Sequence, residues 1–101
     1  MSKKIKISKS LPNQIRIKGA GWEPANGVYE WKTSRYEKDD QHKCFIEYLN
    51  MHGTWYLYGL TEDLDVYLSN KSDTPVGALF SVRHNQVEFE PGPKCSKVEW
   101  A

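Results

Sequence analysis

At 101 residues the chain is the size of one domain, with material for a single modest core. Its 39% hydrophobic and 27% charged content lies in the globular range and excludes a wholly disordered chain. The net charge of +1 hides an asymmetry: residues 1 to 18 carry Lys3, Lys4, Lys6, Lys9, Arg16 and Lys18 and no acid, while the remainder holds 8 basic and 13 acidic residues. A basic arm thus precedes an acidic body, which opposes a phosphate backbone.

Isoleucines alternate with polar residues at positions 5 and 7 and again at 15 and 17, the period of a strand. Leu11-Pro12-Asn13 interrupts the pattern. Residues 1–13 are therefore assigned to a basic arm or edge strand and residues 14–101 to a β domain, with the first firm strand at Gln14 to Lys18. Gly19-Ala20-Gly21, Pro24 and Asn26-Gly27 make a turn-rich connection. Asn26-Gly27 is expected to form a tight turn into a second strand, Val28 to Thr33. A polar loop, Ser34 to Gln41, separates it from a strand at Lys43 to Leu49, with Cys44, Ile46 and Tyr48 on one face. Asn50-Met51-His52-Gly53 reads as a hairpin loop. The next strand, Thr54 to Leu60, is apolar or aromatic on both faces, as a central strand covered on both sides would be. An acidic turn from Thr61 to Asp65 leads to a short strand, Val66 to Ser69. Gly77 to Val82 and Val87 to Glu90 flank His84-Asn85 as a last hairpin, after which Pro91-Gly92-Pro93 breaks the sheet and Trp100 sits in a short tail. No window carries a 3.6-residue apolar stripe. The 13% aromatic content suits pleated, half-buried surfaces. The expected fold is all-β, an antiparallel meander, barrel or sandwich of six or seven strands.

Few residues are arranged for chemistry. Gly19-Ala20-Gly21 lacks the third glycine and following helix of a dinucleotide-binding loop, because Pro24 and Asn26-Gly27 intervene. His42 and Cys44 would point the same way on a strand, but Cys44 shares its face with Ile46 and Tyr48, which makes it a core thiol. Cys44 and Cys95 form no zinc-binding spacing. Glu62, Asp63 and Asp65 lack the glycine and distant glutamate of a calcium loop. The expectation is no catalytic residue, no metal site and no cofactor. The aromatics are the better candidates: Trp31, Trp55, Tyr29 and Tyr56 are assigned to the core, while Trp22 in the glycine-rich loop and Tyr36 in the polar loop are candidate binding residues. Arg16 and Lys18, the basic residues on a firm strand, are the other two.

Taken together, Ile15-x-Ile17-x-Gly19-Ala20-Gly21, Asn26-Gly27-x-Tyr29, Trp55-x-Leu57, Tyr67-x-Ser69 and Pro75 resemble a small aromatic-rich β module. That module recurs, often in tandem, in large multidomain eukaryotic proteins. The resemblance spans Ile15 to Pro75 and implies an accessory or interaction role without catalytic residues. Beyond Pro75 the chain departs, with Val76-Gly77-Ala78-Leu79-Phe80 where the module continues Gly-Trp.

The functional expectation is a noncatalytic binding module with a protein partner. The alternatives are a small-ligand or carbohydrate site on the loop aromatics, or weak nucleic-acid binding through the Lys-rich N-terminus. No signal-peptide pattern opens the chain and no stretch approaches the roughly 20 apolar residues of a membrane span. The reading is therefore an intracellular, cytoplasmic protein with reduced thiols and no membrane partner. Asn70-Lys71-Ser72 is then a chance glycosylation sequon. Fluorescence anisotropy with single-stranded and duplex oligonucleotides is expected to show only weak, salt-sensitive association. Submicromolar binding at physiological salt, lost on deleting residues 1 to 10, would reverse that ranking.

Overall fold

The computed structural model describes residues 11–41, 43–60, 64–83 and 86–98. The expected arm at 1–10, His42, the acidic turn around Glu62 and Asp63, the His84-Asn85 turn and Trp100 lie outside the described residues. Among the described residues the fold is all-β: eight antiparallel strands form one nearly closed, barrel-like sheet. The strands are β1 (Gln14–Lys18), β2 (Gly27–Lys32), β3 (Arg35–Glu37), β4 (Cys44–Leu49), β5 (Thr54–Gly59), β6 (Leu64–Ser69), β7 (Phe80–Val82) and β8 (Lys94–Lys97). Each of the first seven pairs with its sequence neighbours, and β8 returns to pair with β1.

The strand count exceeds the expected six or seven for two reasons. Arg35–Glu37, expected as loop, is a strand paired on both sides, with Tyr36 opposite both Trp31 and Ile46. Lys94–Lys97, expected beyond the end of the sheet, pairs with β1. Three residues of Arg-Tyr-Glu and four of Lys-Cys-Ser-Lys are too short to show a period-two pattern. Conversely, Val87–Phe89 is a 3-10 turn and not a strand.

Alternation sorts the side chains. Ile15, Ile17, Tyr29, Tyr36, Cys44, Ile46, Trp55 and Leu57 point inward and are essentially inaccessible, while Arg16, Lys18 and Glu30 point outward. On β6 the alternation breaks. Leu57 pairs with Tyr67 but Tyr58 with Asp65, so Val66 is an extra residue in a β-bulge. Both Val66 and Tyr67 are consequently buried, which a regular strand would not allow.

The core is rich in tyrosine, and each buried phenol must satisfy its hydroxyl. Tyr29 OH donates to the Ala25 carbonyl at 2.7 Å and Tyr36 OH to the Pro12 carbonyl at 2.7 Å. Tyr67 OH donates to the Phe89 carbonyl at 2.7 Å and accepts from the Trp22 N–H at 2.9 Å. These bonds tie connecting segments to the barrel, including Leu11 to Asn13, whose Asn13 carbonyl also accepts from Trp31 N–H at 2.8 Å. The tight turn expected at Asn26-Gly27 does not form: the chain turns one step earlier, in the 3-10 segment Glu23–Ala25, and Gly27, at φ +140°, is already the first residue of β2. Asn26 itself is extended, and its side-chain amide pairs with the Ala20 backbone at 2.9 and 3.2 Å, as a strand neighbour would.

Between β7 and β8 the barrel is sealed by contact and not by a ladder. The Gly77 N–H donates to the Cys95 carbonyl at 3.1 Å. A Cβ on Gly92 would lie 1.9 Å from the Phe80 carbonyl oxygen, and one on Gly21 2.2 Å from that of Glu90. Only hydrogen side chains admit this approach. The segment 86–93 is thus pressed onto the barrel, with the Tyr67 hydroxyl as its clasp. Tyr67→Phe leaves the Trp22 N–H and the Phe89 carbonyl without their partner, at a cost of about 1–3 kcal/mol. For a domain this size that lowers the melting temperature by roughly 4–8 °C per kcal/mol. Thermal unfolding followed by circular dichroism measures it; an unchanged transition would show that the clasp contributes nothing.

Candidate functional site

The sequence-derived binding residues separate into two pairs. Trp22 and Tyr36 are core residues, with 8% and 0% exposure. Trp22 packs on Phe89, ring centroids 6.1 Å apart. Tyr36 lies on β3 between Trp31 and Trp55, at 5.0 and 6.1 Å. Neither offers a free ring face, because both fill the barrel where loop exposure had been expected. Arg16 and Lys18 are exposed on the outer face of β1. The expected core residues Tyr29 and Trp55 are fully buried, whereas Trp31 is partly buried against the core. Tyr56 belongs to the outside of the barrel.

That outer surface carries the densest polar–aromatic cluster among the described residues. Arg35 on β3, Phe45 and Glu47 on β4, and Tyr56 and Tyr58 on β5 all project outward from neighbouring strands. The Tyr56 and Tyr58 rings stack 5.0 Å apart with an 18° interplanar angle, and Phe45 lies 5.3 Å from Tyr58. The Arg35 guanidinium covers the Phe45 ring at 3.8 Å, a cation–π contact. It also donates to Tyr58 OH at 2.7 Å and to the Glu37 carboxylate at 3.1 Å. Both tyrosine hydroxyls donate to Glu47 Oε1, Tyr58 at 3.0 Å and Tyr56 at 3.4 Å. The side chains are therefore held in one geometry while staying within reach of solvent: Arg35, Glu37 and Glu47 are each about one-third exposed.

The surface continues past Tyr56 to its cross-strand neighbour Leu68. There a shallow depression of about 450 Å³ is lined by Leu49, Leu68 and Met51, with His52, Lys71 and Arg83 at its rim. Met51 is 91% exposed. Thr54 Oγ1, at the same place, is buried without a hydrogen-bond partner among the described residues. Arg83 is paired with Asp65 at 2.7 Å.

The cluster was partly legible in the sequence. The alternation of Tyr56 and Tyr58 opposite Trp55 and Leu57 was visible, but two aromatic faces suggested two covering layers. Arg35 carried no signal, because its three-residue strand reads as loop.

Burial first, then the hydrogen bond and charge of Glu47, push the Tyr58 phenol up to about 12, and the same causes raise Tyr56. Cys44 and Cys95 are free and buried, and burial pushes the Cys95 thiol up to about 12, the opposite of an activated nucleophile. Among the described residues no three His, Cys, Asp or Glu side chains group to hold a metal ion, and no helix is long and apolar enough to cross a membrane. No protein-family model matches the chain, and neither a curated protein nor a solved structure matches it.

The raised Tyr58 value belongs to the folded state. Its stabilising contribution is complete below the unfolded value of 10.0 and is lost as pH rises through about 12. Alkaline unfolding monitored by circular dichroism is expected to begin in that window, and Tyr58→Phe to shift its onset upward. A pH profile unaltered by Tyr58→Phe would show that Glu47 does not hold the neutral phenol.

Proposed function

We propose that this chain is a noncatalytic binding module that engages a protein partner through the outer face of β3, β4 and β5. The observation that carries the reading is the stacked Tyr56–Tyr58 pair, turned away from the core on a strand whose inner face is already filled by Trp55 and Leu57. Tyrosine and arginine are the residue types that concentrate binding energy at protein interfaces. Here they are fixed by Glu47 and Phe45 before any partner arrives, so little side-chain entropy remains to be lost on association. The adjoining Leu49–Leu68–Met51 depression offers a place for an apolar anchor. The resemblance of Ile15 to Pro75 to a recurrent β module supports an accessory role as well.

Affinity capture compared between the wild type and Tyr56→Ala/Tyr58→Ala tests the reading. A polypeptide retained by the wild type, by Arg16→Gln and by Lys18→Gln is expected to be lost from the double variant. Direct titration of that polypeptide should show a loss of about 2 kcal/mol or more, roughly thirtyfold in affinity. Capture unaffected by the tyrosine substitutions would refute the assigned surface. A wild-type eluate whose specific component is a saccharide or nucleic acid would replace the partner class.

A further inference from the structure

The outer faces of β2 and β3 and of β1 and β8 each bring like charges together, and the two are treated differently. Glu30 and Glu37 are directly opposite across β2 and β3. Each has a cation beside it: Lys32 at 3.3 Å from Glu30 and Arg35 at 3.1 Å from Glu37. Lys18 and Lys94 are directly opposite across β1 and β8, and Arg16 lies two residues along β1, opposite Ser96. All four are exposed. Among the described residues none of the three cations pairs with a carboxylate. Directly opposed residues have Cβ atoms about 4.5–5.5 Å apart and diagonal ones about 7–8 Å. Those spacings lie within the Debye length of about 8 Å at physiological ionic strength, so the repulsion is only partly screened.

Two of the cations, Lys18 and Lys94, also share a concavity, and Arg16 stands beside it opposite Ser96. Lys18, Lys94 and Ser96, with Gly19, Pro91 and Gly92, line a depression of about 610 Å³ that contains no carboxylate among the described residues. The sealing segment described above forms one wall, so the shape of this depression depends on the barrel being closed.

We propose that Arg16, Lys18 and Lys94, with the Ser96 hydroxyl, bind a phosphomonoester dianion on the outer face of β1 and β8. A dianion matches a compact group of cations and removes the mutual repulsion of Lys18 and Lys94. The arginine supplies planar, two-pronged donation to phosphate oxygens and the lysines point charges. The surroundings select a compact anion over a polyanion. The neighbouring depression on β2 and β3 is lined by four acids, Glu30, Glu37, Asp39 and Asp40, against one cation, Lys38, paired with Asp40 at 2.8 Å, and a strand of phosphates crossing from β1 would run onto that acidic excess.

The proposal is tested by titrating the isotopically labelled full chain with inorganic phosphate and with O-phosphoserine, against sodium chloride at matched ionic strength. Saturable amide shifts at Gly19, Lys94 and Ser96 are expected, absent in chloride. Lys18→Gln/Lys94→Gln should keep a dispersed spectrum and bind at least about tenfold more weakly, the effect of roughly 1.4 kcal/mol. Lys94→Glu provides a second measurement. It should raise the melting temperature without ligand by relieving the repulsion, and abolish the phosphate-dependent gain that the wild type shows. Shifts that fail to saturate, that occur equally in chloride, or that persist in the double variant would overturn the site. So would a duplex oligonucleotide that binds more tightly than phosphoserine and is lost in the same variant, since that marks an extended polyanion surface. The source of the phosphate is separated by cosedimentation with phosphatidylcholine vesicles containing phosphatidylinositol 4-phosphate. Retention that free phosphate reverses assigns a lipid headgroup, and saturable binding of soluble phosphate without retention assigns a soluble ligand.

Discussion

The structure depends on finding partners for hydroxyl groups that sit inside an apolar core. Three fully buried tyrosines, Tyr29, Tyr36 and Tyr67, contribute much of the barrel's filling, and a buried hydroxyl without a partner would cost a substantial part of a small domain's net stability. Each finds its partner in a carbonyl of a connecting segment, at Ala25, Pro12 and Phe89. Trp55 does likewise with the carbonyl of Ser72 at 3.1 Å. The aromatics that fill the barrel therefore also fix the segments around it. Packing and loop placement are the same event, and the segment that seals β7 against β8 is held by that means.

The bulge in β6 has consequences on both sides of the sheet. It admits Val66 as well as Tyr67 to the interior and resets the alternation so that Asp65 faces outward opposite Tyr58. The same reset places Asp65 where Arg83 reaches it. A continuous outward surface then runs from Arg35 through the paired tyrosines to the Leu49–Leu68 depression. Among the described residues Thr54 Oγ1 is the one buried side-chain polar atom of this surface without a hydrogen-bond partner, so the face is tied together but not covered. An ordered, amphipathic, uncovered sheet face is what a binding module presents.

Charge is segregated around the barrel more sharply than the net value of +1 suggests. The acids of β2 and β3 have cations interleaved with them, while the cations of β1 and β8 stand together. This distribution arises because β8, the last strand, returns to pair with β1, the first. Lys94 and Ser96 reach Arg16 and Lys18 through that single long-range pairing. The two surfaces proposed for binding lie on different groups of strands, so each can be altered without the other.

The sequence by itself determined the fold class, the first strand and the hairpin at Asn50 to Gly53, and it placed Cys44 and Trp55 in the core, because period-two alternation and turn chemistry are local properties. It also showed aromatics on both faces of β5, but took that strand to be covered on both sides and Tyr56 to be core, whereas the structure leaves the tyrosine face outward. Tertiary structure alone decided the rest. β3 and β8 exist because neighbouring strands supply their hydrogen bonds, and neither is long enough to display a pattern of its own. Trp22 and Tyr36, which local context placed in loops, are core residues because the barrel closes over them. The bulge, the seal at Gly92 and the meeting of Lys18 with Lys94 all join residues far apart in the chain. Such contacts are set by which strand pairs with which, and no window of neighbouring residues encodes that choice.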